Sequence, residues 1–198
     1  MRGSIALVGM ALSLTVFNVD ARATATCQVL SDPTGDVQLV NGGPFVDPTR
    51  DLTGMAVQLT ARTLVLRTKI SDIQAVPFGA PGDILGIQFV LGKQVLVESS
   101  RRLHATSTPG NTEYTKVLNS DAVKATSSWD AATDIVTIAI DRPSLAKYLG
   151  RDLAVGSLLS NTYALIAPAV TDQGTPVYFD AMGNNGGGQG TPVRIPKC

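Results

Sequence analysis

The sequence predicts an all-β protein, an antiparallel β-sandwich of jelly-roll or immunoglobulin-like type with one short helix. Three observations carry that expectation. Short runs alternate apolar and polar residues with period two or are continuously β-branched and apolar. Gly, Pro, Asn and Asp clusters punctuate the chain at spacings of roughly 8–15 residues. Only one stretch after the first 23 residues carries helix start and stop signals.

The chain opens on Met1-Arg2-Gly3, with one positive charge, and continues through an apolar stretch at roughly residues 5–17. Ala21-Arg22-Ala23 then supplies small residues at the two positions that precede a cut. This pattern predicts a secretory signal peptide over residues 1–23, cleaved after Ala23. Its apolar core is about 13 residues, short of the about 20 a membrane-spanning helix needs. Residues 24–198 are then expected to fold as one β-sandwich domain, secreted to the extracellular space as a monomer.

Cys27 and Cys198 are the only cysteines. One lies just after the expected cut and the other is the last residue. In an exported chain this placement predicts a disulfide that ties the termini together. Closing so long a loop is worth roughly 5 kcal/mol at most in the loop-entropy picture.

After Cys27, residues 27–30 form a first short strand. Asp32-Pro33-Thr34-Gly35-Asp36 is a turn: proline presets φ, glycine accepts φ > 0 and the aspartate side chain caps the bend. Asp32 and Asp36 either serve only that turn or supply oxygen ligands to a hard cation such as calcium. Spacing alone leaves both roles open. Residues 37–48 hold Gly42-Gly43-Pro44 and Asp47-Pro48 and read as loop or irregular edge strand. Leu52, Met55, Val57 and Leu59 form a strand with a bulge at Gly54. Residues 60–62 connect it to a half-buried strand in which Leu64, Leu66, Thr68 and Ile70 share one face.

Residues 72–82 are a Pro/Gly loop. Residues 84–91 (ILGIQFVL) are a central strand, turned at Gly92-Lys93 into a partner over residues 94–98. Residues 106–111 (TSTPGN) are a loop, and residues 112–118 and 122–129 are edge strands. After a turn at residues 130–133, residues 134–140 form a β-branched strand. Residues 142–150 form the helix, with Pro143 near its start and Gly150 after its end. Residues 158–170 could be strand or helix; Gly156, Pro168, Thr162 and Tyr163 favour strand. Residues 177–180 are a short strand, residues 183–190 a flexible Gly/Asn run, and residues 192–196 an extended tail held by the disulfide.

With 16 basic and 16 acidic residues the formal net charge is zero. That gives no electrostatic drive toward nucleic acid or an anionic membrane, and no partner of either kind is expected. Catalytic constellations are thin, and no enzyme activity is expected. His104 is the single histidine, beside Arg101 and Arg102, and no Gly-x-Ser-x-Gly elbow exists. Glu98 and Glu113 read as surface strand residues, and Asp72 and Asp83 as turn residues flanking a loop. The Gly-rich run lacks the Lys-Ser/Thr of a phosphate loop.

The order Asp-Pro-x-Gly-Asp (residues 32–36), Asp-Leu-x-Gly (51–54), Thr-Leu-x-Leu-x-x-x-Ile-x-Asp (63–72), Asp-Arg-Pro-Ser-Leu (141–145) and Phe-Asp-x-Met (179–182) carries a resemblance. It is similar to secreted bacterial β-sandwich modules of the family-9 carbohydrate-binding and DOMON-like type. The resemblance implies a structural calcium near the first turn. Asp32, Asp36 and Asp51 match the early acidic positions and Asp180 the late one. The disulfide would hold both chain ends in one region, within reach of such a site. The resemblance also implies a non-catalytic binding or accessory module for an extracellular glycan or protein. The chain departs from it in aromatic content, with one Trp, four Tyr and five Phe. Trp129, Tyr114 and Tyr163 are the candidate ligand-binding residues. The competing expectation is an exported hydrolase or hydrolase inhibitor acting through the loop at residues 72–82 or 106–111.

Overall fold

Period-two alternation places every second side chain of a strand on one face, and a face of Leu, Ile and Val must find another to cover it. Here two antiparallel sheets do so. The computed structural model describes residues 27–39, 50–73, 83–101, 114–168, 178–183 and 190–198. The described strands are β1 (Gln28–Ser31), β2 (Gln38–Leu39), β3 (Leu52–Leu59), β4 (Thr63–Ile70), β5 (Asp83–Leu91), β6 (Lys93–Arg101), β7 (Tyr114–Val117), β8 (Ala125–Asp130), β9 (Ile135–Asp141), β10 (Leu158–Pro168), β11 (Tyr178–Met182) and β12 (Thr191–Arg194). One helix, α1 (Arg142–Leu149), follows β9. The expected signal segment, residues 1–23, lies outside the described residues.

The first sheet has the order β1-β3-β4-β9-β8, and the second the order β2-β11-β10-β5-β6-β7, with β12 also paired to β10. All the pairings are antiparallel. The sandwich thus has two lateral edges. On one side lie β1 and β2–β11; on the other lie β7 and β8. The core between the sheets is built from the alternating positions: Leu64, Leu66 and Ile70 of β4, Val136, Ile138 and Ile140 of β9, and Leu85, Ile87 and Phe89 of β5 are all essentially inaccessible. Each such side chain contributes about 1.5–3 kcal/mol through burial.

Several expectations are met in detail. The β3–β4 register shifts between Leu52 and Gly54, which is the bulge expected at Gly54. The helix is capped at its start by Asp141, whose carboxylate accepts the Ser144 N–H at 2.9 Å. Gly150 ends it at φ 74°, a left-handed position that glycine takes without a Cβ clash. Leu145 and Leu149 anchor the helix to the core. Residues 158–168 are indeed a strand.

Two local expectations differ, and one open alternative is decided. The tail is not merely extended: Thr191–Arg194 pairs with β10 through Leu158↔Arg194, Leu159↔Val193 and Thr162↔Thr191. Pro192 is tolerated there because an edge strand need not donate from every residue. Gln38–Leu39, in the stretch expected to be loop or irregular edge strand, is an edge strand paired with β11. Asp134 belongs to the turn before β9, at φ 54°, and its carboxylate accepts the Ile73 N–H at 3.0 Å.

Candidate binding groove and acidic cluster

The β7–β8 edge holds a groove of about 520 Å³ lined by Arg101, Tyr114, Thr115, Ser127, Ser128 and Trp129, among others. Small hydroxyl residues occupy strand positions where an interior face would carry Val or Leu, and this keeps the edge open and polar. They also join the sheets. The Trp129 Nε1–H donates to Ser99 Oγ at 2.9 Å. Ser99 in turn donates to Ser127 Oγ at 2.7 Å, and Thr115 Oγ1 lies 2.6 Å from the same Ser127 oxygen. Ser99 is fully buried, so these bonds satisfy a hydroxyl that water cannot reach.

Both aromatic rings of the groove carry a cation. The Arg101 guanidinium carbon lies 4.6 Å from the Trp129 ring centroid, and Lys116 Nζ lies 4.6 Å from that of Tyr114. Arg101 is fixed from behind. Its Nη2 donates to Asp83 Oδ2 at 2.9 Å, while Arg50 Nε donates to Asp83 Oδ1 at 3.0 Å. Asp83 is fully buried. Burial pushes its carboxyl upward, and the Arg50 and Arg101 guanidiniums oppose that shift. The Tyr114 hydroxyl donates to Glu98 Oε2 at 3.1 Å, and burial together with that carboxylate pushes the phenol up.

Of the three candidate ligand-binding residues, the structure brings Trp129 and Tyr114 to one groove, and both are half-buried. Tyr163 lies apart on β10, where its hydroxyl donates to Gln88 Oε1 at 3.0 Å. Sequence patterns alone do not single out Arg101, Ser99, Thr115 and Ser127. The available signal is the pair of serine doublets, Ser99-Ser100 and Ser127-Ser128, in strands that otherwise favour β-branched residues. Asp83 is not the turn residue expected: it opens β5 and holds two arginines.

At the other edge the Asp32–Asp36 turn folds with Gly35 at φ 83°. One carboxylate oxygen from each of Asp32, Asp36 and Asp180 lies within 4.8 Å of the others. Asp51 stands beside this cluster and shapes the turn, because its Oδ2 accepts the Gly35 N–H at 3.0 Å. Asp180 reaches across from β11, accepting the Leu52 N–H at 2.6 Å and the Ala181 N–H at 2.8 Å. Asp32 Oδ2 is buried without a hydrogen-bond partner. Burial, then the charges of Asp180, Asp36 and Asp51, push the Asp32 carboxyl up to about 7. Asp180 is pushed up to about 6, by burial first and against the Leu52 hydrogen bond. Cys27 and Cys198 form the disulfide, with Cα atoms 5.8 Å apart, at the Val57 end of β3 rather than at the Leu52 end that Asp180 holds.

His104, Glu113 and the loop at residues 106–111 lie outside the described residues, as does most of the loop at residues 72–82. Among the described residues no helix is long and apolar enough to cross a membrane.

The chain is thus a two-sheet antiparallel sandwich with an open, hydroxyl-lined lateral groove. The fold is similar to that of a family 9 carbohydrate-binding module from Caldicellulosiruptor kristjanssonii, solved in complex with cellotriose. The TM-score is 0.50 at 8% sequence identity, over 95% of this chain and 91% of that one. No protein-family model matches the chain, and no curated protein matches it.

Proposed function

We propose that this protein is a secreted, non-catalytic saccharide-binding module whose ligand lies in the β7–β8 groove. The observation that carries the reading is the groove itself, which gathers Trp129 and Tyr114 with Thr115, Ser127 and Ser128 on a fold similar to a cellotriose-bound module. Hydroxyl, indole and phenol groups hydrogen-bond and pack against sugar rings, so the set suits recognition rather than bond cleavage. The groove is built from one chain, so the reading requires no oligomer. Secretion is supported by the Cys27–Cys198 disulfide, which persists in oxidising compartments, together with the signal pattern of residues 1–23.

We also propose a structural calcium at Asp32, Asp36 and Asp180. The donor set fits: hard carboxylate oxygens on a turn, one of them buried and unpartnered. Calcium would supply the positive charge that lets these carboxylates stay ionised together, with Asp51 keeping the turn in shape. The test of the binding reading is a glycan array probed with the calcium-loaded protein and with the variant Trp129→Ala. Selective glycan signals lost in the variant support it. No signal above an unrelated β-sandwich control overturns it.

A further inference from the structure

We infer that the groove takes an anionic saccharide, one bearing carboxylate or sulfate groups, in preference to a neutral one. The inference deepens the saccharide-binding reading and rests on it. A neutral pyranose is held largely by laying its C–H face on a bare aromatic ring. Here neither groove ring is bare on every face. Arg101 sits over Trp129 and Lys116 over Tyr114, each at 4.6 Å from the ring centroid. Arg101 is not a side chain that a ligand can sweep aside. Two of its nitrogens are bonded to buried Asp83, its Nη2 also donates to the Ile73 carbonyl at 3.5 Å, and its side chain is only 12% exposed.

Anchored this way, Arg101 lines the groove as a fixed charge. Asp83 divides its two oxygens between Arg50 and Arg101 and so neutralises Arg101 only in part. The described bonds of Arg101 use its Nε and Nη2. A guanidinium meets carboxylate and sulfate oxygens with short, charge-assisted bonds, and a partly dehydrated groove strengthens them. Thr115, Ser127 and Ser128 add hydroxyls for the ring oxygens. Glu98 is the one carboxylate near Tyr114 among the described residues, and the Tyr114 hydroxyl donates to it.

The experiment compares cellotriose with its 6-carboxylated and 6-sulfated forms, and xylotriose with the same trisaccharide bearing one glucuronic acid, by isothermal titration on the full chain. The expected result is binding of the acidic member about tenfold or more tighter than its neutral partner in each pair that binds. The two charged cellotriose forms separate carboxylate from sulfate as the preferred group. Raising NaCl from about 50 mM to about 500 mM should weaken the acidic arm several-fold and leave the neutral arm unchanged. Arg101→Gln should erase the preference. Because that change leaves Asp83 with one arginine fewer, the exposed variant Lys116→Gln serves as a check and should lower acidic binding about twofold to threefold. Equal or tighter binding of the neutral members overturns the inference while leaving the saccharide reading in place. Binding of no saccharide overturns both.

Discussion

The two lateral edges of the sandwich solve opposite electrostatic problems. The β1/β11 edge collects Asp32, Asp36, Asp51 and Asp180, and no described cation lies within ion-pair distance of Asp32, Asp36 or Asp180. The β7/β8 edge collects Arg101 and Lys116, and each is settled on an aromatic face. The difference separates an edge that a bound proton or cation would relieve from one whose charge is already met within the fold. Like charges gathered in a half-buried turn destabilise it until a proton or a cation arrives. Arg101, stacked on Trp129 and tied to Asp83, is stable before any ligand binds.

The largest effect is expected from unpinning β1, which the disulfide ties to the chain end. Replacing Cys27 and Cys198 together by serine should lower stability by up to about 5 kcal/mol, read as a fall in the denaturation midpoint. Thiol labelling of the native protein should find no free cysteine. The groove edge should be unaffected while the chain remains folded.

Next in size is calcium. At about a hundred times its dissociation constant, a bound ion stabilises by about 2.7 kcal/mol, so melts in calcium and in chelator should differ by several degrees. Asp180→Asn should abolish that difference and change stability in chelator little, since it removes a repelled charge and keeps an oxygen for Leu52 N–H while losing the acceptor for Ala181 N–H. Identical melts for the parent in the two conditions would leave the carboxylates as turn residues only.

Trp129→Phe sharpens the other edge. It keeps a ring under Arg101 but removes the Nε1–H bond to Ser99, which costs about 1 kcal/mol. The melt should shift accordingly in calcium and in chelator alike.

The smallest effect is the pH response of the chelated protein. Asp32 and Asp180 are raised in the fold to about 7 and about 6, against 3.8 unfolded. The folded state therefore holds more protons between pH 4 and 7, and stability falls as pH rises through that window. Solvent screens the partly exposed Asp32, which keeps the slope shallow. In calcium the slope should flatten or reverse, because protons compete with the ion.

Much of the fold was legible because its signals are local. Alternation in residues 64–70, the Gly54 bulge and the Pro143–Gly150 helix are each written within a few neighbours. The β12 strand was not, because four residues containing Pro192 become a strand only through pairing with Leu158 and Leu159. At the acidic edge Asp32 and Asp36 share one turn and could be read together. Asp180 came from the resemblance, and its bond to Leu52 spans 128 residues. Asp51 lies close by, but the turn uses its carboxylate for Gly35 N–H. The groove was the least legible part. Trp129 and Ser99 are 30 residues apart, and only the approach of the two sheet edges gives Arg101 its ring, while Asp83 meets Arg101 across the β5–β6 pair and Arg50 from 33 residues away.

The chain has one tryptophan, and it lies in the groove. Intrinsic fluorescence during titration of the calcium-loaded protein with the tightest array saccharide therefore reports on the central claim directly. A saturable change in Trp129 emission, with the same midpoint as the calorimetric binding curve, is the predicted result. Saccharide binding by calorimetry with unchanged Trp129 emission and unchanged quencher access would place the ligand elsewhere and contradict the account.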